Sequence, residues 1–574
     1  MNLYKIYLSE IKKKLVKNKS KINFGSLKNL DNVTVQNPPE KFDYDFSSNI
    51  AMVLAKKLKE NPNNIADKIK KILITDSNHF DSIDIAKPGF LNFRLSYKAW
   101  TKVINDILKI KNKYGSNKKK NKFNIEFVSA NPTGPLHVGH CRGAVFGDVL
   151  SNLLKFNGNK VVKEFYINDY GNQVSDFTKS VFFRLKEIKN NEPFPSAKHL
   201  YPGQYIIGIA KKILKDNSKI HLNNYEKISE LLKDESLKHS MSLIKSDLND
   251  LGIKHDYFFS ETKLVKKNLV QKTINKLKKN KLITHGYLDA PKGEISGEWE
   301  KTKRLIFKSS LFGDDTDRAL QKNDGSWTYF ANDIAYHATK VSKKYDYLVN
   351  ILGADHTGYI KRISAAVTAL SRKKTKLICK VCQLVKLYKG GQPLKMSKRS
   401  GDFISVRELI DEVGKDSVRF MMLNRGNDIE LDFDFDKVLE KSKNNPVFYI
   451  QYSYARINSL FNSTSLNLNS KINLNQKDFP PNSFEYRLMR KIVEWPKVVE
   501  SASNKLEPHR IPFYLYDLAT IFHSYWSKGN EDHNFKFLNN GKINRILTFK
   551  IFQSLAIVLE NGMSIIGVSL PKKM

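Results

Sequence analysis

A short apolar run, Phe123 to Val128, gives way to a cluster of Ser129, Asn131, Pro132, Gly134 and Pro135, and then to helical spacing from Val138. No other stretch constrains the fold as much. Six residues rich in β-formers read as a buried strand, and the Pro, Gly and Asn cluster is turn chemistry. Val145, Val149 and Leu153 share one side of the predicted helix, and Asn157-Gly158 supplies its stop. A second run, Lys160 to Ile167, reads as the next strand. Strand, loop, helix and strand make a βαβ unit with parallel strands, which puts the loop at the carboxyl edge of the sheet, where ligands bind.

The loop-to-helix junction carries His137 and His140, one turn apart, with Gly139 between them. Unpaired backbone N–H groups at a helix N-terminus attract phosphate oxygens, and two imidazoles on that face strengthen the attraction. Gly139 lets a flat base lie close to the backbone. A plainer reading makes the two histidines helix caps, and a motif this short does not decide between the two. Far along the chain, Leu394-Lys-Met-Ser-Lys-Arg-Ser-Gly401 is a basic loop after the strand-like Leu384 to Tyr388 and a Gly390-Gly-Gln-Pro turn. Taken alone, it is a solvated loop.

With 574 residues the chain exceeds a single core and predicts roughly three to five domains. Its net charge of +39 points to a polyanionic partner such as nucleic acid. Lys and Asn are abundant even in plain stretches, so part of that charge is compositional. Three cysteines, Cys141, Cys379 and Cys382, exclude a disulfide framework. Cys379 and Cys382 have the spacing of half a zinc site, but their strand-like flanks favour a structural role. The first 21 residues lack the apolar centre of a secretory signal, and no apolar run is expected to reach transmembrane length. A soluble, cytoplasmic protein is expected.

Taken in order, residues 1–111 read as an α+β unit. Helical periodicity runs over Ile50 to Leu58 and Ile65 to Ile74, with a strand at Gly89 to Leu95. Lys111 to Lys122 reads as a linker. Residues from about 185 to 300 are highly charged and predict a helical insertion within the sheet domain. Ser326 to His337 and Tyr347 to Gly358 return to the core, the latter as a strand ending in a polar loop. Asp333, read alone, is a helix cap or a surface carboxylate. Residues 404 to 442 read as helical, and amphipathic helices follow from Asn445, broken by an Asn/Ser-rich connection from Asn462 to Ser483.

His137-Val-Gly-His140 together with Lys395-Met-Ser-Lys-Arg399 resembles the HIGH and KMSKS pair of class I aminoacyl-tRNA synthetases. Ser129-Ala-Asn-Pro-Thr-Gly-Pro-Leu-His137, Trp327-Thr-Tyr-Phe-Ala-Asn-Asp-Ile-Ala-Tyr-His337, Gly353-Ala-Asp-His356 and Asn445-Pro-Val-Phe-Tyr-Ile-Gln-Tyr452 narrow the resemblance to the bacterial arginyl-tRNA synthetase family. It runs through essentially the whole chain and is weakest in the lysine-rich insertion. Arg399 stands where the general motif has serine, which keeps the loop positive.

The resemblance implies an α/β fold: a Rossmann-type class I catalytic domain at 123–400 with the insertion about 185–300. An N-terminal α+β tRNA-contacting domain at 1–111, a helical connector at 401–445 and an all-α anticodon-binding domain at 446–574 complete it. The implied reaction joins arginine to tRNA(Arg) through arginyl-adenylate, with ATP as substrate, Mg2+ on its phosphates, no resident protein-bound metal and no membrane partner, in a protein expected to be a monomer. His137, His140, Lys395 and Lys398 are then catalytic, and Pro132, Gly134, Gly139, Met396 and Ser397 join them around ATP. Ser129, Ala130 and Asn131 are placed at the amino acid, with His140 near it and His356 as a further polar contact. Arginine's guanidinium pairs best with carboxylates, which makes Asp333, with Tyr329 one turn before it, and Glu126 the candidates. Another class I synthetase, a small-molecule nucleotidyltransferase and a non-catalytic tRNA-binding paralogue remain alternatives at this point.

Overall fold

A computed structural model describes all residues except 1, 19–29, 40–41, 76–78, 219, 289–301, 395–403 and 480. The basic loop with Lys395, Met396, Ser397 and Lys398 therefore lies outside the described residues. The chain forms two compact units, residues 1–117 with 441–574, and residues 118–440.

In the first unit, strands β1 (Val35–Gln36), β2 (Phe46–Ser48), β3 (Phe80–Ala86) and β4 (Phe90–Leu95) form an antiparallel sheet in the order β1-β2-β4-β3. Phe46 and Phe93 stack in its core with ring centroids 5.3 Å apart. The same unit holds the C-terminal helices Pro446–Asn462, Ser483–Lys505, Arg510–Glu531 and Ile546–Ile566. Two expectations change here. Ile546–Ile566 is long and apolar enough to cross a membrane, contrary to the sequence reading, but most of it is buried as the core helix of this bundle. The linker read over 111–122 begins as packed structure: Tyr114 is 1% exposed, its hydroxyl donates to the Ile492 carbonyl (3.2 Å), and its own carbonyl accepts from Trp495 Nε1 (2.9 Å). A side chain at Gly115, which has φ +94°, would meet the Trp495 ring at 2.4 Å. Lysine-rich composition hid that single aromatic contact.

The second unit is built on five parallel strands in the order β12-β11-β5-β6-β7. These are β5 (Lys122–Glu126), β6 (Lys160–Ile167), β7 (Tyr257–Ser260), β11 (Tyr347–Gly353) and β12 (Lys376–Cys382). β8 (Ile283–Gly286), β9 (Arg304–Phe307) and β10 (Arg318–Ala319) form an antiparallel sheet beside the core. The helix Val138–Phe156 makes the crossover from β5 to β6, with Val145, Val149 and Leu153 fully buried. Beneath that helix, Asp148 binds both Lys163 (2.5 Å) and Arg419 (2.6 Å). β7 falls inside the segment expected to be an insertion. Four residues are too few to show a period against the charged helices around them. The acidic stretch read as helical likewise contains a strand, β15 (Leu431–Asp434), which pairs in parallel with β13 (Val385–Lys389). β13 turns into β14 (Gln392–Pro393) through Gly390 and Gly391, at φ 58° and 72°, a two-residue hairpin that only such residues enter cheaply.

Gly147 sets how closely the crossover helix approaches β5. A Cβ there would sit 2.3 Å from Phe127 Cγ and 2.6 Å from its Cβ, and Phe127 has no exposed surface through which to retreat. Gly147→Ala gains about 1 kcal/mol of helix propensity, but overpacking of this kind costs about 1–3 kcal/mol. A clash with an atom next to the backbone belongs at the upper end. We expect a net loss of stability, read as a lower melting temperature. A melting temperature at or above wild type would show that Phe127 yields without cost.

Candidate active site

The site forms along the carboxyl edge of the five-stranded sheet. At its centre His137 is the N-cap of the helix Val138–Phe156. Its Nδ1 accepts from Gly139 N (3.1 Å), and His140 Nδ1 accepts from His137 N (3.3 Å), a reciprocal capping box made by imidazoles. The rings lie 3.9 Å apart, centroid to centroid. A Cβ on Gly139 would stand 2.9 Å from the His137 ring, so glycine is what lets that ring fold onto the helix end. An imidazole that accepts at Nδ1 in its neutral form carries its proton on Nε2. The preceding loop is held from behind. Leu136 N donates to Asp247 Oδ2 (3.0 Å), and Tyr205, packed against Gly134, donates to the Thr133 carbonyl (2.9 Å). Pro132 is buried in that loop.

The segment that follows the basic loop runs directly alongside this helix end. His137 and Ser405 form an antiparallel bridge, in which Val138 N donates to Ile404 O (3.1 Å) and Val406 N to Leu136 O (2.9 Å). One turn into the helix, Arg142 is 2% exposed and donates to the carbonyls of Gln383 (2.9 Å), Gly426 (2.8 Å) and Ile429 (2.7 Å), at the bases of β13 and β15. The segment Ile404–Val406 and the His137–His140 turn, distant in sequence, thus share one edge.

Where β5 ends, Val128 and Ser129 both have positive φ, 71° and 41°. Consecutive non-glycine residues in that region store strain that the surroundings must hold. Ser129 Oγ accepts from Tyr166 N (3.1 Å) and donates to Glu126 Oε1 (3.2 Å). Glu126 Oε2 in turn takes Lys340 Nζ (2.5 Å) and the Tyr336 hydroxyl (3.1 Å). Burial alone would raise the Glu126 pKa, but the Lys340 ammonium holds it below the ordinary value. Glu126 therefore has a resident cation, and the structure does not present it as an uncompensated partner for a guanidinium. Ala130 is buried, and Asn131 is exposed, bonded to Gln173 (2.8 Å) and Asn168 (3.3 Å).

Asp333 lies on the helix Tyr329–Ser342, whose N-cap is Thr328. Its carboxylate does not cap that helix. It accepts instead from the Tyr359 hydroxyl (2.5 Å). Burial, with Glu126 and Glu261 nearby, pushes its pKa up to about 7 against the opposing bond from Tyr359. Glu261, at the end of β7, is 6% exposed, accepts from Asn332 Nδ2 (3.2 Å), and is also raised by burial. His337 fixes the next turn: one ring nitrogen meets the Asp333 carbonyl (2.8 Å), the other Asn350 Nδ2 (3.0 Å), and burial lowers its pKa to about 4. Carboxylates held near one another out of water favour a cation with several donors. Tyr329 and His356 stand outside this cluster. Tyr329 is 80% exposed with Lys322 over its ring, and His356 is exposed beside Asp355 (3.6 Å).

Sequence reasoning missed Glu261, Tyr166, Tyr359, Tyr336 and Lys340. Glu261 was hidden with β7 in the supposed insertion. Lys340 carried a readable signal, since it lies seven residues after Asp333, two turns along the same helical face.

Comparison with known proteins places these features. Residues 103–462 match the family model for the class I (R) tRNA synthetase catalytic domain, residues 8–95 the arginyl-tRNA synthetase N-terminal domain, and residues 450–574 the DALR anticodon-binding domain. The arginine–tRNA ligase of Pelagibacter ubique is 51% identical over the full length of both chains. That of Ehrlichia ruminantium is 43% identical over 94% of this chain and 96% of its own. The Thermus thermophilus arginyl-tRNA synthetase, at 18% identity, shares the fold with a TM-score of 0.69 over 99% of this chain and 100% of that one. With its catalytic, N-terminal and anticodon-binding models all matched and full-length relatives at such identity, the chain belongs to the arginyl-tRNA synthetase family.

Proposed function

We propose that the chain charges tRNA(Arg) with arginine in two steps at the carboxyl edge of β5. The arginine carboxylate attacks the α-phosphorus of ATP, forming arginyl-adenylate and releasing pyrophosphate. A hydroxyl of the terminal tRNA ribose then attacks the adenylate carbonyl, giving the ester and AMP. No covalent enzyme intermediate is needed, so the enzyme's contribution is positioning and charge stabilisation. One observation carries this reading: a phosphate-seeking helix end, capped by His137 and His140, shares a sheet edge with the desolvated carboxylates Asp333 and Glu261.

In this reading Nε2 of His137 and His140 donates to phosphate oxygens, and Gly139, Gly134 and Pro132 shape the nucleotide's bed. Lys395 and Lys398, with Met396 and Ser397, are assigned from the motif alone and close over the leaving pyrophosphate. Mg2+ arrives on ATP as part of the substrate. Asp333 and Glu261 face the guanidinium. Glu126 lies with Ser129, which suits it to the α-ammonium end, and Ala130 and Asn131 continue that wall. Tyr329 and His356 keep a place only at the rim. Residues 1–111 touch the outer corner of the tRNA and residues 446–574 its anticodon, and the enzyme works as a cytoplasmic monomer.

Asp333→Asn tests substrate identity. It removes one charge with little change of shape, and an uncompensated guanidinium then costs about 2–5 kcal/mol, or roughly thirtyfold or more in arginine affinity. Titration calorimetry with tRNA present should show that loss while ATP affinity stays within error. Intact arginine affinity would move the specificity pocket elsewhere.

Lys398→Ala tests the loop. A contact that strengthens as charge builds on the phosphates should lower turnover roughly a hundred- to a thousandfold, with Michaelis constants nearly unchanged. Turnover within about threefold of wild type, against that magnitude, would reduce Lys398 to a solvated charge.

A further inference from the structure

The turn that leads into His137 is held by a part of the chain with no task in the reaction described above. Leu136 has no exposed surface, so both of its backbone groups need partners inside the protein. Its carbonyl accepts from Val406 N (2.9 Å), and its N–H donates to Asp247 Oδ2 (3.0 Å), 111 residues further along the chain. Asp247 lies in the last turn of the helix Tyr225–Asp250 and is 4% exposed. That helix belongs to the charged segment that reads as an insertion, and it is itself anchored. Leu232 packs into one core with Ile206, Ile209 and Ile213 of the helix Gln204–Asp216. Tyr205 of this second helix donates to the Thr133 carbonyl, so two packed helices grip the turn between Thr133 and Leu136.

The other oxygen of Asp247 faces Arg407. Arg407 Nη2 lies 3.5 Å from Asp247 Oδ1, 3.0 Å from Ser246 Oγ and 2.7 Å from Asp250 Oδ2. One carboxylate therefore touches both segments of the bridge between His137 and Ser405. The two contacts are unequal. The Arg407 side chain is 52% exposed and sits closer to Asp250, so its attraction to Asp247 is screened. The bond to Leu136 N is buried, and a buried donor left without an acceptor is costly. The weight of Asp247 falls on Leu136.

We propose that Asp247 is a positioning residue for the reaction: by accepting from Leu136 N it fixes the backbone of the turn that carries His137, and so sets where the two imidazoles meet the phosphates. This rests on the function proposed above and goes beyond it, because it gives the charged helical segment a task at the site without any atom of Asp247 touching substrate. Reactions are sensitive to such support, since a displacement of about 1 Å at a reacting group costs up to about a hundredfold in rate.

The test uses the full-length enzyme with tRNA present and follows arginine-dependent ATP–pyrophosphate exchange, with rates referred to active sites counted by single-turnover adenylate formation. Asp247→Leu fills the space without an acceptor and should lower turnover about ten- to a hundredfold, with the Michaelis constant for arginine within about threefold of wild type. Asp247→Asn keeps an oxygen for Leu136 N, and Arg407→Ala keeps the whole bond, so both should turn over within about threefold of wild type. The Leu136 amide should undergo hydrogen exchange at least about tenfold faster in Asp247→Leu than in wild type or Asp247→Asn. A protein that had only lost stability would exchange faster along the whole helix Val138–Phe156 and would keep its turnover per active site. Should Asp247→Leu not fold, Asp247→Ser, whose hydroxyl is too short to reach Leu136 N, takes its place under the same criteria. The proposal is overturned if turnover per site in that variant stays within about threefold of wild type, if Asp247→Asn loses as much, or if Arg407→Ala does. A wild-type enzyme that exchanges pyrophosphate with another amino acid and not with arginine would overturn the function proposed above, and exchange at Leu136 would then decide the role of Asp247 by itself.

Discussion

The site depends on the pairing of β5 between β6 and β11. Glu126, where β5 ends, is in register with Glu164 on one side and Asn350 on the other, and β6 and β11 run on past it to Ile167 and Gly353. From that shared edge come Ser129 and the His137 turn after β5, Asn168 after β6, and Tyr359 beyond β11, while β7 adds Glu261 from the flank. A one-residue slip in this ladder would turn the strand side chains, Glu126 among them, to the other face. The crossover helix lies close against β5, because Gly147 lets it approach Phe127 to a distance that a larger residue would strain.

Charge then divides the edge into two ends. The helix N-terminus, capped by Nδ1 of two imidazoles, is the end that suits an anion. The opposite end concentrates acids in a dry volume, and their mutual repulsion together with burial keeps Asp333 near neutrality. That arrangement is costly without ligand and favourable with one. On the function proposed above, an arriving guanidinium would let Asp333 ionise, so its binding would be coupled to loss of a proton as pH approaches the raised pKa of about 7. The sign follows from the direction of the shift. In the empty protein a carboxyl raised in this way stabilises the fold below its ordinary value, and that contribution is lost as pH rises towards 7. Arginine affinity should move the opposite way and strengthen over the same window. On the proposed function, a shorter or neutral amino acid would leave Asp333 and Glu261 facing no charge, and a site built to pair such a group discriminates strongly against it.

Local chemistry was legible in the sequence, and long-range assembly was not. The crossover helix begins at Val138 and stops at Asn157-Gly158, as spacing and cap residues dictate, and β6 keeps the bounds Lys160–Ile167. The histidine caps and the phosphate-binding reading both came from one tetrapeptide, and the caps use Nδ1 of each ring. Asp333 could be named from its segment, but its partner Tyr359 lies 26 residues away, and only the fold joins them. Tyr329 had the right helical spacing and turned outwards, because helical spacing names two neighbouring residues without saying which faces the sheet. Lys340 and Glu126 are 214 residues apart. No period or motif links an ammonium to a carboxylate over such a distance. β7 was missed for a related reason: a four-residue strand has no pattern of its own and is defined by its neighbour β6.

If the proposed function is right, Asp333 holds a proton until the guanidinium displaces it. The most direct measurement is arginine binding by calorimetry at pH 6.5 with tRNA present, in two buffers of different ionisation enthalpy, whose difference counts the protons exchanged; at that pH a carboxyl raised to about 7 is mostly protonated. A substantial fraction of one proton should be released per arginine bound, and that release should disappear in Asp333→Asn. Binding with no proton released, or the same release in the variant, would contradict it.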